Sequence, residues 1–321
     1  MKPKVLITRK IFDEALKILN GKVTYTMGPD NRSLTSEELC EKIKDKEGLF
    51  CLLTDKIDRN LIDAAPGLKV IANCAVGYDN IDVPYALKKG ITVTNTPGIL
   101  TETTADLTWA LLLATARRIP GADRFCRMKH FKGWKLDLFL GQEVTGKQLG
   151  IIGMGRIGRA VAGRARAFLM DVVYSDPHRL PQEEEASLGA VRVPLDYLLS
   201  DSDFVTVHAD LNSSTRHLIS REKIKLMKKS SILINVSRGP IVDEKALTDA
   251  LEGKKIWAAG LDVFEREPEI EEKLHHLDNV VLLPHIGSAT FATRIKMAVM
   301  AARNLVQVLE GKTPDNPVHP D

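Results

Sequence analysis

An arginine, a glutamate and a histidine each follow an apolar run in the second half of the chain. Ile232 to Val236 leads through Ser237 to Arg238 and Gly239, Ala258 to Val263 leads past Asp262 to Glu267 and Pro268, and Val280 to Pro284 leads to His285. In an open parallel sheet the functional edge lies beyond the carboxyl ends of the strands, so three such endings are expected on one rim. A guanidinium can grip a carboxylate with two parallel hydrogen bonds and polarise the neighbouring carbonyl, which lysine, lacking the planar fork, cannot reproduce. Imidazole is the side chain best matched to give a proton near neutral pH, and a neighbouring carboxylate favours its charged form. The set therefore suits proton delivery to the carbonyl oxygen of a 2-oxo acid as hydride reaches its carbon. Asp262, closer to its strand, is a candidate for the carboxamide of a nicotinamide. Taken singly, each residue has an ordinary reading as a surface ion pair, a solvated loop acid or a structural histidine. Their joint occurrence carries the assignment. His208 also ends an apolar strand and is the rival acid, with Asp210 as its local companion.

Hydride needs a carrier, and an earlier stretch has the spacing for one. Gln148 to Ile152 is an apolar strand running into Gly153-Met154-Gly155-Arg156-Ile157-Gly158, a GxGxxG motif opening directly into a helical pattern. The first glycine allows the strand-to-helix turn, the second lets backbone approach a pyrophosphate, and the third lets helix pack on strand. Phosphate then meets unpaired N–H groups at the helix N-terminus. The next strand, from Asp171 to Ser175, delivers Asp176 roughly 20 residues beyond the glycines, where a ribose diol would lie. A carboxylate there accepts from the ribose hydroxyls and repels a 2′-phosphate, so NAD(H) is the expected cofactor. Arg179 nearby leaves NADP(H) open.

These residues need strands to hold them, and the chain supplies strands throughout. Lys4 to Thr8, Val23 to Met27, Leu49 to Thr54, Lys69 to Ala75 and Ile91 to Asn95 alternate with helical patterns, predicting a parallel, doubly wound α/β domain. Thr35-Ser36-Glu37-Glu38 reads as a capping-box start, and Lys88-Lys89-Gly90 as a basic last turn with a glycine stop. A helix over about Thr101 to Arg118 leads into Pro120 to Thr145, a loop-rich arm carrying Trp134 and Phe139. The second unit restarts at Gln148 and adds strands at Val172 to Ser175, Val191 to Pro194, Phe204 to His208, Ile232 to Val236, Ala258 to Val263 and Val280 to Pro284, the Rossmann pattern. A final helix, about Ala289 to Leu309, has no strand after it and is expected to cover the first domain. Glu183-Glu184-Glu185 reads as a solvated helix start.

The chain of 321 residues suits two domains sharing a cleft, and its 45 Lys and Arg against 42 Asp and Glu give no electrostatic case for nucleic acid or a membrane surface. The stretch from Leu107 to Ala116, interrupted by Thr108 and Thr115, is too short to span a bilayer and reads as a buried helix. No signal segment opens the chain, and Cys40, Cys51, Cys74 and Cys126 show no metal or redox spacing and read as small core residues, so a cytoplasmic setting is expected. Neither a metal-ligand motif nor a Gly-x-Ser-x-Gly elbow appears.

Read together, these residues resemble the D-isomer-specific 2-hydroxyacid dehydrogenases, and within them the glyoxylate and hydroxypyruvate reductase branch. The resemblance spans nearly the whole chain and rests on Val76 to Asp82, Asn95 to Gly98, Leu100 to Asp106 with Thr104, the glycine motif, Asn235 to Gly239, Gly260 to Val263, Glu267-Pro268 and Pro284 to Thr290. It implies a flavodoxin-like substrate domain of residues 1–98 with 289–321 and a Rossmann domain of residues 99–288. It implies Arg238, Glu267 and His285 as the catalytic trio. It sets Thr104, Gly153, Gly155, Arg156, Ile157, Gly158, Asp176, His208, Val236, Asp262 and Gly287 around the cofactor. For substrate it implies Leu53, the backbone N–H groups of Val76 and Gly77, and Ser288. A homodimer, with Trp134 reaching toward the partner's site, follows from the same resemblance. The chain departs from the family pattern at Leu136, where proline is usual, and at His208-Ala209-Asp210, where His-x-Pro is usual. The expected activity is NADH-dependent reduction of glyoxylate to glycolate and of hydroxypyruvate to D-glycerate. The alternatives are a phosphoglycerate or D-lactate type dehydrogenase and an NAD(H)-sensing protein like the corepressors that reuse this fold.

Overall fold

A computed structural model describes residues 1–319 of the chain, which separate into two compact units, residues 1–100 with those from 288 on, and residues 101–287. The first unit holds β1 (Lys4–Ile7), β2 (Thr24–Met27), β3 (Gly48–Cys51), β4 (Val70–Asn73) and β5 (Thr92–Thr94). They pair in parallel in the order β2-β1-β3-β4-β5, the flavodoxin-like order, with the direction of winding reversing between β1 and β3. Strands β3 and β4 are buried at every position, as strands covered on both faces must be, and accordingly read as continuous apolar runs. One face packs beneath Leu39, Ile43, Leu61 and Ala86; the other packs beneath Ala15 and Leu19 and the last helix, Phe291–Leu309, which contributes Ala298, Ala301, Ala302 and Leu305. The open edge of β5 is blunted by the chain near Pro317, where the Val318 N–H donates to the Val93 carbonyl. The capping box at Thr35 forms as expected, the Glu38 N–H donating to Thr35 Oγ1 and the Thr35 N–H to the Glu38 carboxylate.

The second unit holds β6 (Gln148–Ile152), β7 (Asp171–Ser175), β8 (Ala190–Arg192), β9 (Phe204–Val207), β10 (Ile232–Asn235), β11 (Ala258–Leu261) and β12 (Val280–Leu282). Its seven strands are all parallel in the order β12-β11-β10-β9-β6-β7-β8. The winding reverses between β6 and β9, which puts Gly153 and His208 at the switch point where a dinucleotide sits in this architecture. Helix Thr101–Ala116 packs on β10 and β11 and on helix Arg156–Ala165; the Trp109 indole N–H donates to the Val161 carbonyl, and its ring stacks on Phe168. That packing fixes the helix whose first turn follows the glycine motif.

Three expectations need correction. The arm from Pro120 is not loop throughout: Ile119–Arg127 is a helix with Pro120 in its first turn. Ile119, Ala122, Phe125 and Cys126 recur at helical spacing, but Pro120 and Gly121 in the first turn read as loop, and none of the helix's residues is buried. Glu185 is not solvated; it is buried, accepting from the Tyr174 hydroxyl at 2.6 Å and from the Arg179 guanidinium at 3.0 Å. Of the cysteines, Cys51 is buried, Cys40 and Cys74 are half-buried, and Cys126 is exposed on that same helix. No helix among the described residues is long and apolar enough to cross a membrane.

Candidate active site

The glycine motif has the geometry its spacing demands. Gly153 leaves β6 with φ near 90°, a left-handed conformation, and a Cβ there would lie 2.5 Å from the Ala209 nitrogen. A Cβ on Gly158 would lie 2.2 Å from the Gly153 carbonyl oxygen, so helix and strand touch only because both residues lack side chains. Helix Arg156–Ala165 starts from Gly155, which offers no capping side chain and has open space beside it. Its first N–H groups are therefore left for an outside anion.

Asp176, at the end of β7, is held from two sides: Oδ2 accepts from the Met154 N–H at 2.7 Å and Oδ1 from the His178 N–H at 2.8 Å. Its side chain remains 17% exposed, and two donors leave about half of a carboxylate's acceptor sites unused. The cations nearby are engaged elsewhere. Arg179 forks onto Glu185, while Arg192 donates to the carbonyls of Asp176 and Pro177. Arg156 is exposed beside the motif, Ile157 half-buried and Val236 buried at the end of β10. His208 Nε2 lies 2.9 Å from Thr206 Oγ1, and Nδ1 is buried without a partner among the described residues. Burial lowers its pKa to about 3, so the ring is neutral near physiological pH and unsuited to the rival acid role. A glycine cradle without capping side chains, a carboxylate held at the end of β7 and an orphan ring nitrogen at the switch point together fit a dinucleotide.

Arg238, Glu267 and His285 all fall in this same unit. Asn235, the last residue of β10, shapes the turn that follows, its Nδ2 donating to the Arg238 carbonyl and its Oδ1 accepting from the Ser237 N–H. Arg238 Nη1 donates to the Ser237 carbonyl at 2.9 Å, which orients the guanidinium. The next position must be glycine: a Cβ on Gly239 would lie 1.9 Å from the Phe264 carbonyl carbon, because the loop bearing Glu267 crosses there. Glu267 Oε1 accepts from the Phe264 N–H at 3.1 Å, and Oε2 lies 2.8 Å from His285 Nδ1. Burial pushes the Glu267 carboxyl up, but the hydrogen bond and charge of His285, the Phe264 N–H and the charge of Arg238 outweigh it and hold it below the usual carboxylate range. The pair is partly open, at 23% exposed for His285 and 30% for Glu267. With Nδ1 committed to the carboxylate, Nε2 is the nitrogen that can serve a reacting oxygen.

His285 adopts a left-handed conformation with φ near 53°, uncommon for a residue with a Cβ. Asp262 accounts for it. Fully buried, it accepts from the Ile286 N–H at 2.7 Å and the Gly287 N–H at 2.8 Å, while its own carbonyl accepts from the His285 N–H at 2.9 Å. Burial raises its pKa against those two hydrogen bonds. Thr104 adds a further tie, its hydroxyl donating to the Gly287 carbonyl at 3.2 Å. This brace leaves no mark in the sequence, since backbone N–H groups bear no residue-type signature.

The other substrate candidates belong to the first unit. Leu53 follows β3 and is exposed; Val76, Gly77 and Ser288 are half-buried. Their loops are held by three asparagines absent from the expected set. Asn73 Nδ2 donates to the Gly77 carbonyl, Asn95 Nδ2 to the Val76 carbonyl, and Asn80 Nδ2 to the carbonyls of Leu52 and Asp55. Asn80 and Asn95 lie inside the motifs that carried the resemblance, which was the available signal. Trp134, 80% exposed on the arm of the second unit, is apart from the trio's hydrogen bonds.

Comparison with known proteins gives the family of the chain. Residues 109–287 match the family model described as D-isomer specific 2-hydroxyacid dehydrogenase, NAD binding domain. A glyoxylate reductase of Thermococcus onnurineus is 49% identical over 98% of this chain and 95% of its own length. The crystal structure of TT0316 protein from Thermus thermophilus superposes with a TM-score of 0.92 at 42% identity, covering 98% of this chain and all of that one. An NADPH-dependent glyoxylate/hydroxypyruvate reductase from Sinorhizobium meliloti, solved with NADP and malonate, gives a TM-score of 0.86 at 34% identity over 99% of this chain and 97% of that one. The chain belongs to the D-isomer specific 2-hydroxyacid dehydrogenase family, in its glyoxylate reductase branch.

Proposed function

We propose that the protein reduces glyoxylate to glycolate, and hydroxypyruvate to D-glycerate, with His285 as the acid. The observation that carries this reading is the 2.8 Å contact of Glu267 with His285 Nδ1 in the unit that bears Arg238 and the glycine cradle. Gly153, Gly155, Arg156, Ile157, Gly158 and Asp176, together with Thr104, His208, Val236, Asp262 and Gly287, would hold a nicotinamide dinucleotide, which would supply the hydride when bound. Arg238 grips the substrate carboxylate with its fork and draws electron density from the carbonyl. His285 Nε2 gives its proton to the oxygen as negative charge develops there, and Glu267 stabilises the imidazolium beforehand. Asp262 keeps His285 in its left-handed conformation. Leu53, the N–H groups of Val76 and Gly77, and Ser288 are assigned to the substrate as well.

NADH is the preferred cofactor on this reading. Asp176 is held where it can accept from ribose hydroxyls, Arg179 is engaged by the Glu185 carboxylate, and Arg192 is engaged by the backbone carbonyls of Asp176 and Pro177. A 2′-phosphate would face the Asp176 carboxylate, a like-charge contact that costs several kcal/mol. Initial rates with glyoxylate are therefore expected to give kcat/KM at least about tenfold higher with NADH than with NADPH. Equal or higher efficiency with NADPH contradicts the cofactor assignment, and no turnover with any small 2-oxo acid contradicts the enzymatic one.

The arm beyond helix Ile119–Arg127 supports a homodimer. Trp134 and Leu136 are about four-fifths exposed, and Phe131 and Leu140 more than half, an apolar series that a lone soluble chain seldom leaves uncovered. Sedimentation equilibrium is expected to show a dimer that Leu136→Asp with Trp134→Ala converts to monomer; a monomeric parent protein overturns this. A cytoplasmic setting, supported by four unpaired cysteines, completes the reading.

A further inference from the structure

We infer that Glu244 is a positioning residue, a clamp on both feet of the loop that presents Glu267 to His285. It is the first residue of helix Glu244–Glu252, yet the cap of that helix is supplied by Asp243, whose side chain accepts from the Ala246 N–H at 2.8 Å. The Glu244 carboxylate turns instead to the neighbouring loop. Oε2 accepts from the Glu265 N–H at 2.8 Å and Oε1 from the Glu271 N–H at 3.0 Å, so one side chain spans the start and the end of the excursion from 265 to 271. Glu267 sits between those feet, and the Glu269 N–H closes the tip onto the Arg266 carbonyl.

The clamp is answered from the other side. The Glu244 N–H points to Glu265 Oε2 at 3.4 Å, while Glu265 Oε1 lies 2.8 Å from His217 Nε2 and 3.9 Å from Arg216. The His217 N–H donates to the Pro240 carbonyl at 2.8 Å, tying the same cluster to the turn after Arg238. With Gly239 pressed against Phe264, the loops bearing Arg238 and Glu267 are thus built as one frame, and Glu244 tethers the excursion at both its ends. The charged groups acting on Glu267 itself are His285, Arg238 and, from β11, Asp262. Glu244 touches none of the reacting groups; it acts through Glu267.

The proposal rests on reading Glu267 and His285 as the acid pair, and the test separates the two. Glu244→Gln preserves size but offers one oxygen and one NH2, so one foot meets a donor instead of an acceptor. A loosened Glu267 supports the imidazolium less well, and reduction requires the protonated ring. The alkaline limb of kcat/KM for glyoxylate is therefore expected to move to lower pH by about half a unit to one unit, with NADH affinity by fluorescence unchanged. Glu244→Asp, shorter but with both oxygens, is expected to give a smaller displacement. Glu267→Gln is measured alongside. If it moves the limb and Glu244→Gln leaves the limb on that of the parent enzyme, lowering only thermal stability, the clamp is overturned and the acid pair stands. If neither moves it, the acid-pair reading falls and the clamp with it.

Discussion

Replacing His285 with alanine lowers kcat for glyoxylate reduction by about 10²- to 10⁴-fold, the range a positioned general acid contributes, while NADH affinity stays near that of the parent enzyme. Affinity is spared because the glycine cradle and Asp176 are built on β6 and β7, whereas His285 follows β12 at the other side of the sheet. The fold is spared as well, since the brace on this loop runs from Asp262 to the backbone N–H groups of Ile286 and Gly287 and not to the imidazole. His285→Gln tests the same point with a side chain that can donate a hydrogen bond but not release a proton at useful pH. Stopped-flow and steady-state measurement of NADH oxidation, with fluorescence titration for binding, read both quantities. A variant that retains most of its turnover removes His285 from the acid role.

Replacing Arg238 with lysine keeps the charge and loses the fork. One charge-assisted hydrogen bond to the substrate carboxylate disappears, worth about 1.5–3 kcal/mol, so kcat/KM falls by roughly 10- to 150-fold. Part of the loss is expected in kcat, because Arg238 also polarises the carbonyl, and part in KM. Arg238→Ala loses more on both counts and leaves Glu267 without the positive charge that helps keep it ionised. The Ser237 carbonyl, which accepts from Nη1, fixes the direction in which the fork is offered, and a lysine ammonium at the same place has no comparable geometry. Efficiency equal to that of the parent in Arg238→Lys refutes two-pronged binding.

Much of this site was legible in the sequence because parallel sheets force it to be. When every strand runs the same way, residues that end apolar runs share an edge, and Arg238, Asp262 and His285 are gathered by that rule alone. The glycine motif was legible for a similar reason: Gly153 must adopt a positive φ and Gly158 must admit the Gly153 carbonyl, so only glycine can write that turn. Interactions of side chains with backbone N–H groups were not legible. Asp262 with Ile286 and Gly287, Glu244 with Glu265 and Glu271, and the asparagines behind Val76 and Gly77 all bond to atoms every residue possesses, so no residue type marks the partner. Helix Ile119–Arg127 was not legible because Pro120 and Gly121 in its first turn read as loop, although Ile119, Ala122, Phe125 and Cys126 share one face. The burial of Glu185 was not legible because its partners, the Arg179 guanidinium and the Tyr174 hydroxyl, come together only in the fold. The same lack of tertiary context left His208 standing as an acid, although burial holds its ring neutral.

A crystal structure of the enzyme with oxidised dinucleotide and oxalate, a stable mimic of the 2-oxo acid, tests the central claim most directly. His285 Nε2 is expected about 3 Å from the oxygen standing for the carbonyl, within reach for proton transfer, with Arg238 forked onto the adjoining carboxylate. An oxalate bound in that complex with the imidazole turned away and the guanidinium engaged elsewhere contradicts it.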